Sequence, residues 1–243
     1  MVRLLKTRHV GAALALLLCL SLPASAEVEC AQPEGANGHG VSAKSARERL
    51  EYLSDVFTKE AKASQLYMTV YGTSYLALTV GQLSLVPVSS DADKPTWFWG
   101  ALNSFIGFAA VMFVPLSVVD AGPRFATRAK TVSEQDTCKL VEEGEKLLKT
   151  SFEEETFQRS WLIHLGNGLI GVGLGLVLAL GYHQYLSAVL NGVASIAIGE
   201  LMLWTQPNQL IPGWKTYLTG QQQTVTFHVV PTAGPGLGFV MRF

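Results

Sequence analysis

The chain has 243 residues, of which 49% are hydrophobic and only 15% charged. An average soluble domain carries about 25% charged residues, and here the charges fall in blocks between long uncharged runs, which excludes an ordinary soluble globule. The net charge of −1 supplies no field that would attract nucleic acid, so no nucleic-acid partner is expected.

Residues 1–26 read as a signal peptide. Arg3, Lys6 and Arg8 form a basic start, Gly11 to Leu22 an apolar core too short for an ordinary span, and Ala24-Ser25-Ala26 a small-residue cleavage site. A lipoprotein signal would use Cys19, but bulky Leu18 stands where such sites want a small residue. Cleavage leaves Cys30 and Cys138, which in an exported protein either form one disulfide or stand as two free thiols. No CxxC pair occurs, and no metal site or cofactor is expected.

Residues 27–41, with Pro33, Gly35, Asn37, Gly38 and Gly40, read as a loop. From Ser42 to about Ser64 the spacing predicts a charged amphipathic helix with Leu50, Leu53, Phe57 and Ala61 on one face. Four uncharged or nearly uncharged runs then meet the ~20 residues a helix needs to cross a ~30 Å hydrocarbon core. They are Leu66 to Val88, Trp97 to Val119, Trp161 to Leu180 and Tyr185 to Trp204. Tyr67, Trp97, Trp99, Trp161, Tyr182, Tyr185 and Trp204 lie near their ends, as interfacial aromatics do. Between the second and third runs, Gly122-Pro123 is expected to break the helix, and a second amphipathic helix starts near Ser133, with Ser133 and Asp136 as caps. After Trp204, Pro207 and Pro212 end the helical pattern. Thr224 to Val230 and Leu237 to Phe243 alternate as a β-hairpin with one apolar face, expected to dock on the membrane surface or a partner. The last strand resembles the closing strand of bacterial outer-membrane barrels, yet one hairpin cannot close a barrel within a chain.

The fold class expected is therefore an all-α membrane protein: four transmembrane helices as two tandem hairpins, each preceded by an amphipathic helix, with a short C-terminal β-hairpin. Its units are 42–119 and 120–205, followed by a tail, 206–243. Sliding the chain by 95 residues places Leu53 on Leu148, Phe57 on Phe152, Glu60 on Glu155 and Leu66 on Trp161. A shift of 88 places Leu102-Asn103 on Leu190-Asn191. Gene duplication accounts for both matches; convergence of amphipathic helices entering hairpins accounts for the first alone.

Polar residues inside the spans are the candidate functional groups. Asn103 and Asn191 would stand at equivalent positions, bonded to one another or to backbone. Glu200 is the one acid within a span, and intramembrane ionisable groups mark functional sites. Asn167 and His164 are the strongly polar members of the third span. Gly171 and Gly175 form a G-x-x-x-G suited to close helix packing or self-association. No spacing suggests a catalytic triad or a nucleotide-binding loop, so the reading is not an enzyme.

Export would put the large polar segments outside the cytoplasm, in a bacterial-type inner membrane or, alternatively, an outer membrane. Those segments hold 14 of the 18 Lys and Arg residues, which opposes the positive-inside rule. The function expected is a non-enzymatic integral membrane protein of the cell envelope, in contact with the lipid bilayer. It would serve a structural, assembly or partner-binding role, as a homo-oligomer or with an envelope protein. The alternative is a small transporter or channel subunit that uses the polar residues of the bundle.

Overall fold

A computed structural model describes residues 29–113, 117–220, 226–231 and 237–242, the last two segments in backbone only. The signal segment lies outside the described residues. A short 3-10 turn, Val41–Ala43, precedes seven α-helices: α1 (Ala46–Leu85), α2 (Lys94–Phe113), α3 (Ser117–Ala129), α4 (Thr137–Gln158), α5 (Trp161–Leu176), α6 (Tyr185–Thr205) and α7 (Leu210–Thr219). The strands β1 (Thr226–Pro231) and β2 (Leu237–Arg242) pair antiparallel, with Phe227 opposite Met241 and Val229 opposite Phe239. The apolar face expected of that segment, and the turn at 232–236, lie outside the described residues.

Three stretches are long and apolar enough to cross a membrane: within Lys94–Ala129, Trp161–Gly181 and within Tyr185–Thr219. The run Leu66 to Val88 is not among them. It is the second half of α1, which runs unbroken for 40 residues. This corrects two expectations. The helix does not stop near Ser64, because no glycine or proline stands there, and it starts later than Ser42. Ser45 is the cap: its Oγ accepts from Glu48 N (3.4 Å) while Glu48 Oε2 accepts from Ser45 N (3.3 Å), a reciprocal capping box. Along the second half, Thr69, Thr73 and Thr79 turn their hydroxyls back onto helix carbonyls, which satisfies them without water.

Two further expectations fail at prolines. Pro123 lies inside α3 and does not end a helix there. Its missing N–H costs roughly 3 kcal/mol in a helix interior. The opposing gain is burial of Val118, Val119, Phe125 and Ala126 against α1 and α4. Pro212 likewise opens rather than prevents a helix. It is the third residue of α7, where a proline forfeits no intrahelical donor.

The elements separate into two layers. The first half of α1 packs with α3, α4 and α7 around Leu53, Phe57, Val118, Leu148, Leu210 and Tyr217, all fully buried. Burying each large apolar side chain contributes about 1.5–3 kcal/mol. Gly144 of α4 permits this approach, since a Cβ there would lie 2.5 Å from Phe125 and 2.9 Å from Leu53. Cys30 and Cys138 are disulfide-bonded, Cα atoms 5.3 Å apart, and tie the N-terminal segment to the start of α4. The buried Arg49 guanidinium meets Glu145, donates to Tyr217 Oη (3.0 Å), Cys30 O (3.0 Å) and Ala31 O (2.8 Å), and so joins four parts of this layer.

The second layer holds the rest of α1 with α2, α5 and α6. Here large apolar side chains point outward: Leu66, Val80, Leu169, Leu186 and Leu190 are all exposed, as lipid-facing residues are. The α1–α2 and α5–α6 pairs form two hairpins. At the end away from the first layer, the Gln184 side chain bonds Ala92 O and Thr96 across the two turns. At the other end, Tyr67 Oη donates to Met202 O (3.3 Å) and Tyr71 Oη meets Thr205 Oγ1 (2.5 Å).

Candidate functional site

The polar residues of the apolar runs converge between the hairpins. α5 and α6 approach closely because their facing residues are small. A Cβ on Gly171 would stand 2.9 Å from Gly192 O, one on Gly175 3.2 Å from Ala188 O, and one on Gly192 3.0 Å from Gly171 O. The G-x-x-x-G therefore packs within the chain. The same proximity brings Asn167 of α5 to α6, where its Nδ2 donates to Ile196 O (3.1 Å) and Glu200 Oε1 (3.0 Å). The Asn167 amide fits only because residue 199 is glycine.

His164 Nδ1 lies 2.7 Å from the other Glu200 oxygen. His164, Asn167 and Glu200, picked out separately in the sequence, thus form one hydrogen-bonded group, with Trp204 beside the imidazole at 6.1 Å between rings. The imidazole and the carboxylate thus satisfy one another across the α5–α6 contact, which costs less in a bilayer than leaving either without a partner. No nucleophile hydrogen-bonds to the group among the described residues.

Asn103 and Asn191 do not bond one another. Asn103 Oδ1 accepts from Ser195 Oγ (3.2 Å), and Asn191 Nδ2 donates to Ser187 O (2.9 Å) on its own helix. The α2–α6 offset puts Asn103 level with Ser195, one turn beyond Asn191. Both asparagines, with Asn167, line a cavity of about 370 Å³ enclosed by α1, α2, α5 and α6. Tyr75, Gln82, Ser104 and Ser195 complete its polar wall, and Ser104 Oγ donates to Gln82 Oε1 (3.2 Å). A second chamber of about 210 Å³ shares Ala110, Ile163, Met202 and Leu203 with it and extends to Ser64, Gln158 and Gln206.

At that end stands a carboxylate pair, Glu60 of α1 and Glu155 of α4, both fully buried. Glu60 Oε2 accepts from Gln209 N (3.2 Å) and Glu155 Oε2 from Leu210 N (3.0 Å), so the two acids together cap the start of α7. Ser64 Oγ donates to Glu60, and Arg159 Nε lies 3.6 Å from Glu155 Oε1. Burial pushes both carboxyls up, helped at Glu155 by the neighbouring Glu60 charge, to about 7 at Glu155. Arg159 also donates to Gln206 O (2.6 Å), holding the α6–α7 connection.

Sequence reasoning placed neither this pair nor Arg49, Glu145 and Tyr217. The signal was present: Arg49 falls between Ala46 and Leu53 on the apolar face, and Glu60 follows Phe57 on that face. Glu60 and Glu155 are also the two acids that the 95-residue shift superposes. Gln82 and Tyr75 carried no comparable signal, since either could equally face lipid headgroups or a neighbouring helix. No family model, no curated protein and no solved structure matches the chain.

Proposed function

We propose that this is a non-enzymatic integral membrane protein of a bacterial-type cell envelope that presents a rigid helical platform to a partner, either an envelope protein or a second copy of itself. The observation that carries the reading is the one-sided distribution of structure. Among the described residues, the tightly packed polar helices lie at one end of the bundle, while the other end has the short connections 86–93 and 182–184. A platform with a disulfide and buried charge networks holds a fixed surface, which lowers the ordering cost of binding.

In this reading the chain crosses the membrane four times. The second half of α1 is the fourth crossing. Its exposed Leu66, Val70, Leu76 and Leu83 and its hairpin partnership with α2 support that, despite the hydroxyls that lower its hydropathy. Residues 1–26 direct export, and the terminal hairpin docks on the membrane surface or on the partner. The disulfide supports placement of the platform in an oxidising compartment, against the charge bias of its 14 Lys and Arg residues. Duplication relates the two units. The shared full burial of Leu53 with Leu148 and of Glu60 with Glu155 supports it.

The test is affinity capture of the tagged full chain from gently solubilised membranes after brief cross-linking. A species well above the 26.3 kDa chain mass is expected; recovery of a lone monomer overturns the reading. A second reading, a small transporter or channel subunit, is favoured by the polar cavity and the His164–Glu200 pair. Reconstituted flux that persists in Glu200→Gln and in Asn103→Ala with Asn191→Ala would remove it.

A further inference from the structure

We infer that the cavity between the two hairpins is a binding site for an uncharged single-chain lipid ester, of the monoacylglycerol kind. This inference does not depend on the platform reading. It rests on three properties of the cavity: its neutrality, its unmatched amide atoms and its shape.

Among the described residues, none with a charged side chain lines either chamber. An anionic or cationic headgroup placed there would lose its hydration with no counter-charge in the wall, which costs several kcal/mol. The wall is not purely apolar either. Gln82, Asn103, Asn167, Asn191 and Ser195 all face the larger chamber. In a bilayer interior each polar group needs a partner.

Asn167 donates twice to α6 through Nδ2, while among the described residues its Oδ1 accepts from no protein group. Asn103 and Asn191 are half engaged: among the described residues Asn103 Nδ2 donates to no protein group, and Asn191 Oδ1 accepts from none. The wall therefore offers leftover amide donors, Asn103 Nδ2 and Gln82 Nε2, and leftover amide acceptors, Asn191 Oδ1 and Asn167 Oδ1, among the described residues. An ester carbonyl beside a free hydroxyl supplies the complement: the carbonyl accepts from Asn103 and the hydroxyl donates to Asn191. A hydrocarbon, which lacks both groups, leaves the two amides unmatched.

The shape accounts for the chain. The larger chamber, about 370 Å³, is in the range of small-molecule pockets. The second chamber adjoins it at the apolar side chains of Ala110, Ile163, Met202 and Leu203, and an acyl chain reaching past them would occupy both. Leu78, Ile106, Leu162 and Ile198 border the cavity and are also exposed on the bundle surface, so its mouth faces the bilayer from which such a lipid would enter.

The test uses the purified full-length protein in detergent and a monoacylglycerol with a diazirine in its chain. Photolabelled residues are mapped by peptide sequencing, with unlabelled 1-monooleoylglycerol and its anionic counterpart lysophosphatidylglycerol as competitors. Expected are labels on cavity residues of α2 and α6, and displacement by monooleoylglycerol at a concentration at least tenfold lower than by lysophosphatidylglycerol. Asn103→Leu with Asn191→Leu, which keeps the volume and removes the amides, should weaken binding at least tenfold. Ala110→Phe, which fills space where the two chambers adjoin, should do the same and decides the matter if the double variant does not fold. Labels confined to outward-facing residues such as Leu186 and Leu190, equal displacement by the two lipids, absence of saturable labelling, or wild-type labelling in a folded variant would each overturn the inference.

Discussion

The platform and the membrane bundle are built from the same helices yet obey different packing rules. In the platform, large apolar side chains fill the centre, and charges enter only with partners. Arg49 is matched by Glu145, Tyr217 and two carbonyls, and Glu60 and Glu155 by backbone N–H groups. In the bundle the large apolar side chains face outward. Its interior mixes glycine, small hydroxyls and amides with a few buried side chains such as Leu174, Leu178 and Leu203, and it holds a cavity. The difference follows from the surrounding medium. Water drives Leu and Phe inward, whereas lipid is as apolar as they are and leaves close backbone contact and hydrogen bonding to hold the helices. One helix, α1, runs through both layers.

The comparison is broken most severely by removing the platform's central cation. Arg49→Ala leaves Glu145 buried without its counter-ion, a loss of about 3–5 kcal/mol. Thermal unfolding followed by circular dichroism should show the platform transition lost or sharply lowered, while the cross-link pattern within the bundle persists. Cys30→Ser with Cys138→Ser opens a link spanning 108 residues, and the expected destabilisation is about 2–5 kcal/mol. The same size of effect should appear in the wild type on reduction, and none in the double variant.

A third test uses pH. The folded Glu155 carboxyl is raised from its ordinary value of 4.5 to about 7, so between those limits the folded protein binds a proton that the unfolded chain does not. Its contribution is present below pH 4.5 and is lost as pH rises through 7, by roughly 3 kcal/mol in all. Denaturant midpoints should therefore fall between pH 5 and pH 8, and Glu155→Gln should flatten that slope. A slope unchanged in the variant would show that the carboxylate pair does not govern it. The smallest effect is expected in the bundle. Asn191→Leu removes one intramembrane hydrogen bond and should change stability by about 0.5–2 kcal/mol, measured by unfolding in mixed micelles.

Much of the helical layout was legible before the fold. The breaks at Arg159-Ser160 and at 182–184, and the charged start of α4, follow from runs of charge and their absence. The polar cluster was legible as a set of residues but not as contacts. Nothing in the spacing of His164, Asn167 and Glu200 tells that two helices turn them toward each other, because that depends on glycines on both sides of the α5–α6 contact. The errors concentrate at prolines and at the continuous α1. Proline's cost is local, whereas the burial that outweighs it at Pro123, and the helix-start position that removes it at Pro212, are set by neighbours distant in sequence.

By itself, then, the sequence determined three apolar runs long enough to cross a membrane and which residues are the anomalous polar ones, because periodicity and charge act within a few turns; α7, the continuity of α1 and the helix through Pro123 lay beyond it. Only the tertiary structure decided how the polar residues are used. It bonds Cys30 to Cys138, sets Glu60 beside Glu155 over the start of α7, separates Asn103 from Asn191 and leaves a neutral cavity between the hairpins. Each of these depends on distances between elements 30 to 170 residues apart, which no local pattern encodes and which packing alone fixes.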